Sequence, residues 1–399
     1  MCTERVMRIA AALTVLATLP ARAGAQSAEP ATRQAVVEAE QAEKSGVLHP
    51  YIETSGERWM ARVQRMLSEA PRWHPFFESA YQGGGLPIGL GYTQHVSSYN
   101  WIDIRGSYSI NEYKRAEAEF VAPRLFHRRA QLSVLGGWRE ATQVGFFGLG
   151  TNTPNRHATY AFENPHASAT LTYWPTREVF LLRGGVEYTR WSMEQPISGV
   201  PVEDVLPTLP GAGADAKYLH AQATIGFDWR PAAAYARRGG FYGITAHDYR
   251  DRDDQFGFTQ LDYEAIQHVP LLREAWVLSL HGRVQTTQAK DGQAVPFFML
   301  PHLGGGHTLR GFESWRFRDT DSLLLQAEWR IMASRFVDTA VFYDAGKMAA
   351  RFADMDLNDL QHDYGFGVRF HGPISTPLRI DVAHSHEGFR LVFATSPIF

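Results

Sequence analysis

The chain has 399 residues, of which 44% are hydrophobic and 13% aromatic, and its formal net charge is -3. So near-neutral a balance gives no reason to expect nucleic acid as a partner. The single cysteine, Cys2, leaves no disulfide framework and no thiolate metal site.

In chain order, residues 1–25 read as a secretory signal peptide. Arg5 and Arg8 precede the apolar run Ile9 to Leu19, and Ala23 and Ala25 take the small-residue positions before Gln26. Cys2 falls inside this signal, too early for a lipoprotein acceptor. The rest of the chain contains no run of about 18 apolar residues, so no transmembrane helix is expected. Residues 26–82 read as a short periplasmic segment, polar and Ala/Glu-rich over 31–44. Over 54–70 the spacing predicts a helix with Trp59, Met60, Val63, Met66 and Leu67 on one face. A tether or a helix along the membrane rim suits this segment, with a lumen plug as the alternative.

From residue 83 to 399 the pattern is β. Fifteen strands are expected, at 85–95, 99–111, 115–124, 128–148, 158–174, 178–190, 217–229, 238–249, 255–268, 271–287, 321–333, 336–347, 361–371, 377–385 and 387–396. A further strand is expected within 74–82, which makes sixteen. Alternation is clear at 322–331, where Leu323, Leu325, Ala327, Trp329 and Ile331 oppose Ser322, Gln326, Glu328 and Arg330. The same period recurs at 218–229, 276–284 and 364–371. Short turns (95–100, 174–178, 268–271, 333–336) alternate with long loops (191–216, 288–320, 348–360). That alternation predicts a transmembrane antiparallel β-barrel with short periplasmic turns and long extracellular loops. A soluble two-sheet protein is the competing fold.

The stretch 302–312, "HLGGGHTLRGF", lies in the longest loop. Its "GGGHTLRGF" resembles the signature of the BamA/TamA outer-membrane assembly-factor superfamily, the bacterial surface antigen family. Downstream, "LLLQAEWRI" (323–331), "VFYDAGKM" (341–348), "YGFGVRF" (364–370), "PLRIDVAHS" and "GFRLVF" are similar to that family's last strands, in order. "FFGLGTNT" (146–153) is a further family-like element. The resemblance implies a barrel in the outer membrane of a Gram-negative bacterium that assists insertion or translocation of proteins or lipid. It also implies an Arg-Gly-aromatic tip folded back into the barrel.

The residues give a physical reason for such a tip. A planar arginine fork inside a lumen needs carboxylates and is fixed better than lysine would be. Alternation places Glu328 and Asp344 on inward positions, so Arg310 is expected to pair with Asp344 first and Glu328 second. Gly311 and Phe312 complete the latch, and Gly304, Gly305, Gly306 and Gly346 allow close backbone approach. The terminal Phe399 resembles an outer-membrane sorting signal, although Pro397 ends ladder pairing near Ser396.

The family's periplasmic substrate-docking repeats, the POTRA domains, are not expected between Gln26 and the first strand, which predicts a barrel-only member. A passive pore is the alternative, with Arg183, Glu187, Arg369, Arg379 and Asp381 as inward charges. An enzyme is not expected: His384, Ser385 and His386 sit in a tight turn without an acid at fitting spacing, and they name no third metal ligand. No cofactor or metal is expected. The expected partners are outer-membrane lipid, unfolded outer-membrane or exported proteins, and the barrel assembly machinery for the chain's own insertion, with the barrel monomeric.

Overall fold

The computed structural model describes residues 72–399 except 177, 178, 273, 373 and 374, together with 37, 38, 40, 55, 56, 58 and 59. The expected signal peptide lies outside the described residues. So does most of the expected helix over 54–70, of which Ser55, Gly56, Arg58 and Trp59 are helical. The chain divides into two units at Gly56, and the second contains every strand among the described residues.

The strands are β1 (Trp73–Phe76), β2 (Pro87–His95), β3 (Trp101–Ser109), β4 (Lys114–Leu125), β5 (Ala130–Phe146), β6 (Ala158–Tyr173), β7 (Phe180–Glu194), β8 (Ala216–Asp228) and β9 (Gly239–Asp251). They continue with β10 (Phe258–Leu272), β11 (Trp276–Ala289), β12 (His302–Leu303), β13 (Phe317–Arg318), β14 (Asp321–Ser334), β15 (Val337–Ala349), β16 (Gln361–Phe370), β17 (Leu378–Ser385) and β18 (Gly388–Ala394). β12 and β13 pair with each other inside the long connection after β11. The other sixteen form one antiparallel sheet in chain order. The first of them, β1, overlaps the further strand expected within 74–82 and starts one residue earlier.

Period-2 alternation separates an outer from an inner face on the long strands of the sheet. On β14, Leu325 and Trp329 are exposed outward while Gln326, Glu328 and Arg330 are buried inward. Leu219, Ile225 and Phe227 on β8, Ile244 on β9, Val341 and Tyr343 on β15, and Tyr364 and Phe366 on β16 continue an exposed apolar outer belt. An apolar belt around a polar interior is the arrangement of a transmembrane β-barrel. A soluble two-sheet protein would instead hide that face in its core.

The longest connections, after β7, β11 and β15, all fall on one rim. One expected turn is displaced: the ladder runs on past 268–271 through Val269–Leu278 and Pro270–Val277, and the chain reverses between Leu272 and Trp276. Pro270 had the look of a turn residue, but it sits at a register shift, where a missing N–H is tolerated.

At the long-loop end the lumen is filled by an aromatic core that includes Phe146, Tyr160, Phe162, Phe297, Phe298 and Trp315. At the sheet's two edges, no ladder joins β1 to β18 among the described residues. There the Thr395 hydroxyl donates to the Phe77 carbonyl at 3.4 Å.

Candidate functional site

The loop between β11 and β14 enters the lumen as the β12–β13 pair, with residues 304–316 at its tip. Gly304 (φ 107°) and Gly305 (φ 100°) adopt the left-handed conformation that turns the tip back on itself. The turn is closed by the Gly305 amide, within 3.1 Å of the Leu309 carbonyl and 3.2 Å of the Phe312 carbonyl. The Gly304 amide also donates to Thr308 Oγ1 at 2.8 Å.

This geometry presents Arg310, completely buried, to the inner wall. Its Nε and Nη2 donate to the two oxygens of Asp344 at 2.6 and 2.8 Å, and Nη1 donates to Glu328 at 2.9 Å. The guanidinium carbon lies 3.4 Å from the centre of the Phe342 ring. Burial opposes the charge on Arg310, yet Asp344 and Glu328 outweigh it and hold the guanidinium above its ordinary pKa. Of the residues singled out from the sequence, Arg310, Asp344 and Glu328 thus meet directly.

Phe312 is buried against Leu303, Leu309, Phe317, Leu324 and Met348. Leu324 and Met348 are apolar exceptions on lumen-facing positions of β14 and β15, and they mark where the tip docks. Gly311 touches the wall so closely that a Cβ there would stand 2.6 Å from that of Asp363. At Gly346 a Cβ would stand 2.8 Å from the Leu323 carbonyl oxygen, and at Gly306 2.9 Å from a Val392 methyl.

The pairing extends into a closed network. Glu328 also accepts from Arg369 at 2.6 Å, Arg369 bonds Asp381, and Asp381 accepts from Arg379 at 3.0 Å. Arg379 then returns to the tip, donating to the Gly306 carbonyl at 2.6 Å. Two of the charges expected to line a pore, Arg379 and Asp381, therefore contact the loop, and Arg369 links Asp381 to Glu328. The remaining two, Arg183 and Glu187, contact Thr172 and His220 on the barrel wall.

Two further loop arginines escaped the sequence reading. Arg316 donates to Glu387 at 2.7 Å and to Thr153 at 2.6 Å. Arg318 donates to the Tyr160 hydroxyl at 2.6 Å and to the Phe297 carbonyl at 3.1 Å. The Trp315 indole donates to the Gln82 carbonyl at 2.8 Å. No periodicity runs through 304–320, so nothing in the pattern distinguished these side chains from solvated ones.

Asp363 is also buried beside the latch, facing Asp344 in register, and neither of its carboxylate oxygens has a hydrogen-bond partner. His307 packs near Arg379 and the backbone of Ile398; burial, then Arg379, pushes its pKa down to about 4. Phe399 lies in the lumen, its ring 6.0 Å from His268 and 5.1 Å from His281. Ladder pairing of the last strand ends at Ala394, two residues earlier than the sequence implied. His386 packs on Phe312 and His384 on Phe389.

A barrel with an apolar belt, whose lumen holds its own glycine-rich loop by a buried arginine, is a transmembrane protein of the outer-membrane kind. The Omp85 superfamily domain matches residues 100–388, and the chain belongs to that superfamily. Its members are outer-membrane barrels concerned with protein insertion or translocation.

Among solved structures, BamA from Haemophilus ducreyi lacking POTRA domains 1-3 superposes with a TM-score of 0.58 at 16% identity. That match covers 86% of this chain and 78% of the other. CdiB from Acinetobacter baumannii gives 0.50 at 13% identity, covering 78% of this chain and 53% of that one. CdiB from Escherichia coli gives 0.53 at 10% identity, covering 80% and 58%. At these identities the likeness is one of fold. Against the two CdiB chains, this chain spans little more than half their length. No curated protein matches the sequence.

Proposed function

We propose that this chain resides in the outer membrane of a Gram-negative bacterium, its long loops outside, and assists the insertion or translocation of proteins, or of lipid, across or into that membrane. The observation that carries this reading is the contrast between two parts of one barrel wall. Strands β14 to β17 are clamped from within by Arg310 and its carboxylates, while the β1–β18 edge is held without a ladder. A brace on one side directs opening to the other, where an incoming strand finds unpaired backbone groups. Unfolded outer-membrane or exported proteins fit such an edge.

A passive pore is disfavoured, because the aromatic core built on Phe146, Phe162, Phe297 and Trp315 fills the long-loop end of the lumen. The test is reconstitution of the purified chain into liposomes, followed by the folding rate of an unrelated small barrel added unfolded. Acceleration that is lost in Arg310→Ala supports the reading. Ion conductance without acceleration overturns it.

A further inference from the structure

The two rims of the barrel carry opposite charge. Among the described residues, the connections on the short-turn rim hold Arg128, Arg129, Arg230, Arg237, Arg238 and Arg335 against one acid, Glu274. On the long-loop rim acids outnumber cations, with Asp253, Asp254, Asp354, Asp356 and Asp359 among them. Part of the basic rim is neutralised locally. Arg230 pairs with Asp228 at 3.0 Å, Arg237 with Asp338 at 2.7 Å and Arg238 with Glu274 at 3.6 Å. Among the described residues, Arg128, Arg129 and Arg335, and Arg124 at the end of β4, have no carboxylate partner.

Three of these four lie in or beside one turn, between β4 and β5, and that turn is strained. Phe126, His127 and Arg128 occupy the left-handed region in succession, at φ 47°, 60° and 67°. For residues other than glycine each such conformation costs about 1–2 kcal/mol, and such strain is kept where it serves a site. Here it holds Phe126 66% exposed at the rim. The neighbouring β2–β3 turn adds Val96 (53% exposed) and Tyr99 (49% exposed), and the Arg124 guanidinium stands 3.9 Å from the Tyr99 ring.

From this arrangement we infer that the turn patch of Tyr99, Arg124, Phe126, Arg128 and Arg129 binds the headgroups of anionic phospholipids. Exposed aromatic rings beside unpaired arginines match the chemistry of a membrane boundary, where rings sit at headgroup level and cations meet phosphate. The patch also adjoins the lipid-facing belt, and this favours a lipid over a soluble acidic polypeptide. That the patch meets the inner leaflet rests on the orientation proposed above; the lipid preference itself does not.

The experiment uses the full chain in mixed bilayers, comparing spin-labelled phosphatidylglycerol with spin-labelled phosphatidylcholine in the motionally restricted lipid shell. The readout does not depend on orientation or on insertion activity, so its failure is separable from failure of the proposed function. The expected result is an enrichment of about three- to fivefold for the anionic label, reduced at high salt. It should fall towards unity in Arg124→Gln/Arg128→Gln/Arg129→Gln and stay unchanged in Arg252→Gln on the opposite rim. If the triple variant does not fold, the salt titration of the unaltered chain and the single Arg128→Gln variant decide. Enrichment near unity, or enrichment insensitive to both salt and these substitutions, overturns the inference. So does binding of polyglutamate by the patch without any preference among lipids.

Discussion

Replacing Arg310 with alanine removes three charge-assisted hydrogen bonds and a ring contact, but the cost is not shared equally by its partners. Glu328 keeps Arg369, which donates to it at 2.6 and 3.3 Å. Asp344 keeps only the Gln326 amide at 3.2 Å and faces Asp363 across the ladder. The loss therefore concentrates on one uncompensated buried carboxylate, for which about 3–5 kcal/mol is the expected scale. Removing the carboxylate as well should recover much of it, so Arg310→Ala/Asp344→Ala should show a coupling of about 2–3 kcal/mol in a double-mutant cycle. Arg310→Lys retains the charge without the fork and should fall between wild type and alanine. The assay is urea unfolding in detergent micelles, followed by the heat-dependent shift of the folded band on a gel, with protease cleavage within 290–320 as the local readout. Strict additivity of the two substitutions, with coupling below about 0.5 kcal/mol, would refute the idea that the pair acts as a unit.

Three other outcomes are expected. Gly311→Ala should undock the tip and raise cleavage within 290–320, at a cost of about 1–3 kcal/mol, whereas Gly306→Ala should be milder, because its added methyl meets only the end of the Val392 side chain; equal effects would count against close approach at Gly311. Asp363→Asn should raise the unfolding free energy measured in urea by about 1 kcal/mol, since a buried acid whose carboxylate oxygens lack partners becomes a neutral amide beside Asp344; a loss of similar size would reveal a charge partner. His307 has its folded pKa lowered to about 4, so the unfolded chain binds the extra proton first. Its contribution is fully present above about pH 6.5, is lost progressively as the pH falls towards 4 and then levels off. Urea midpoints measured across that window should flatten in His307→Asn, and an unchanged slope would exclude this imidazole as the cause.

The strands were legible because each presents one face to lipid and one to the lumen, and this prints a period of two. Inward parity on β14 and β15 is also what made Glu328 and Asp344 readable as partners for Arg310. Parity gave no information where the backbone is irregular. Trp315, Arg316 and Arg318 reach the wall from a segment without a repeat, and their partners Gln82, Thr153 and Tyr160 are far away in sequence. Pro270 misled because proline marks turns and bulges alike. Pro397 marks the end of the ladder in the sequence, but pairing already stops at Ala394, and the last residues turn into the lumen, where the Phe399 ring lies 5.1 Å from His281. Leu324 and Met348 carried a signal that went unused: an apolar residue on a polar face shows that something packs there.

The loop's anchors also bear on the order in which the chain assembles. Trp315 bonds a carbonyl 233 residues away, Arg318 a hydroxyl 158 residues away and Arg316 a carboxylate 71 residues further on. Both early and late strands are therefore needed to satisfy one loop. An incomplete barrel would hold the Trp315 indole in the lumen without Gln82, or the Arg316 guanidinium without Glu387, and removing such groups from water unpaired is costly. The loop thus works as a check on completeness: it can settle only after both ends of the sheet have arrived, which makes the last step of folding cooperative over nearly the whole strand array.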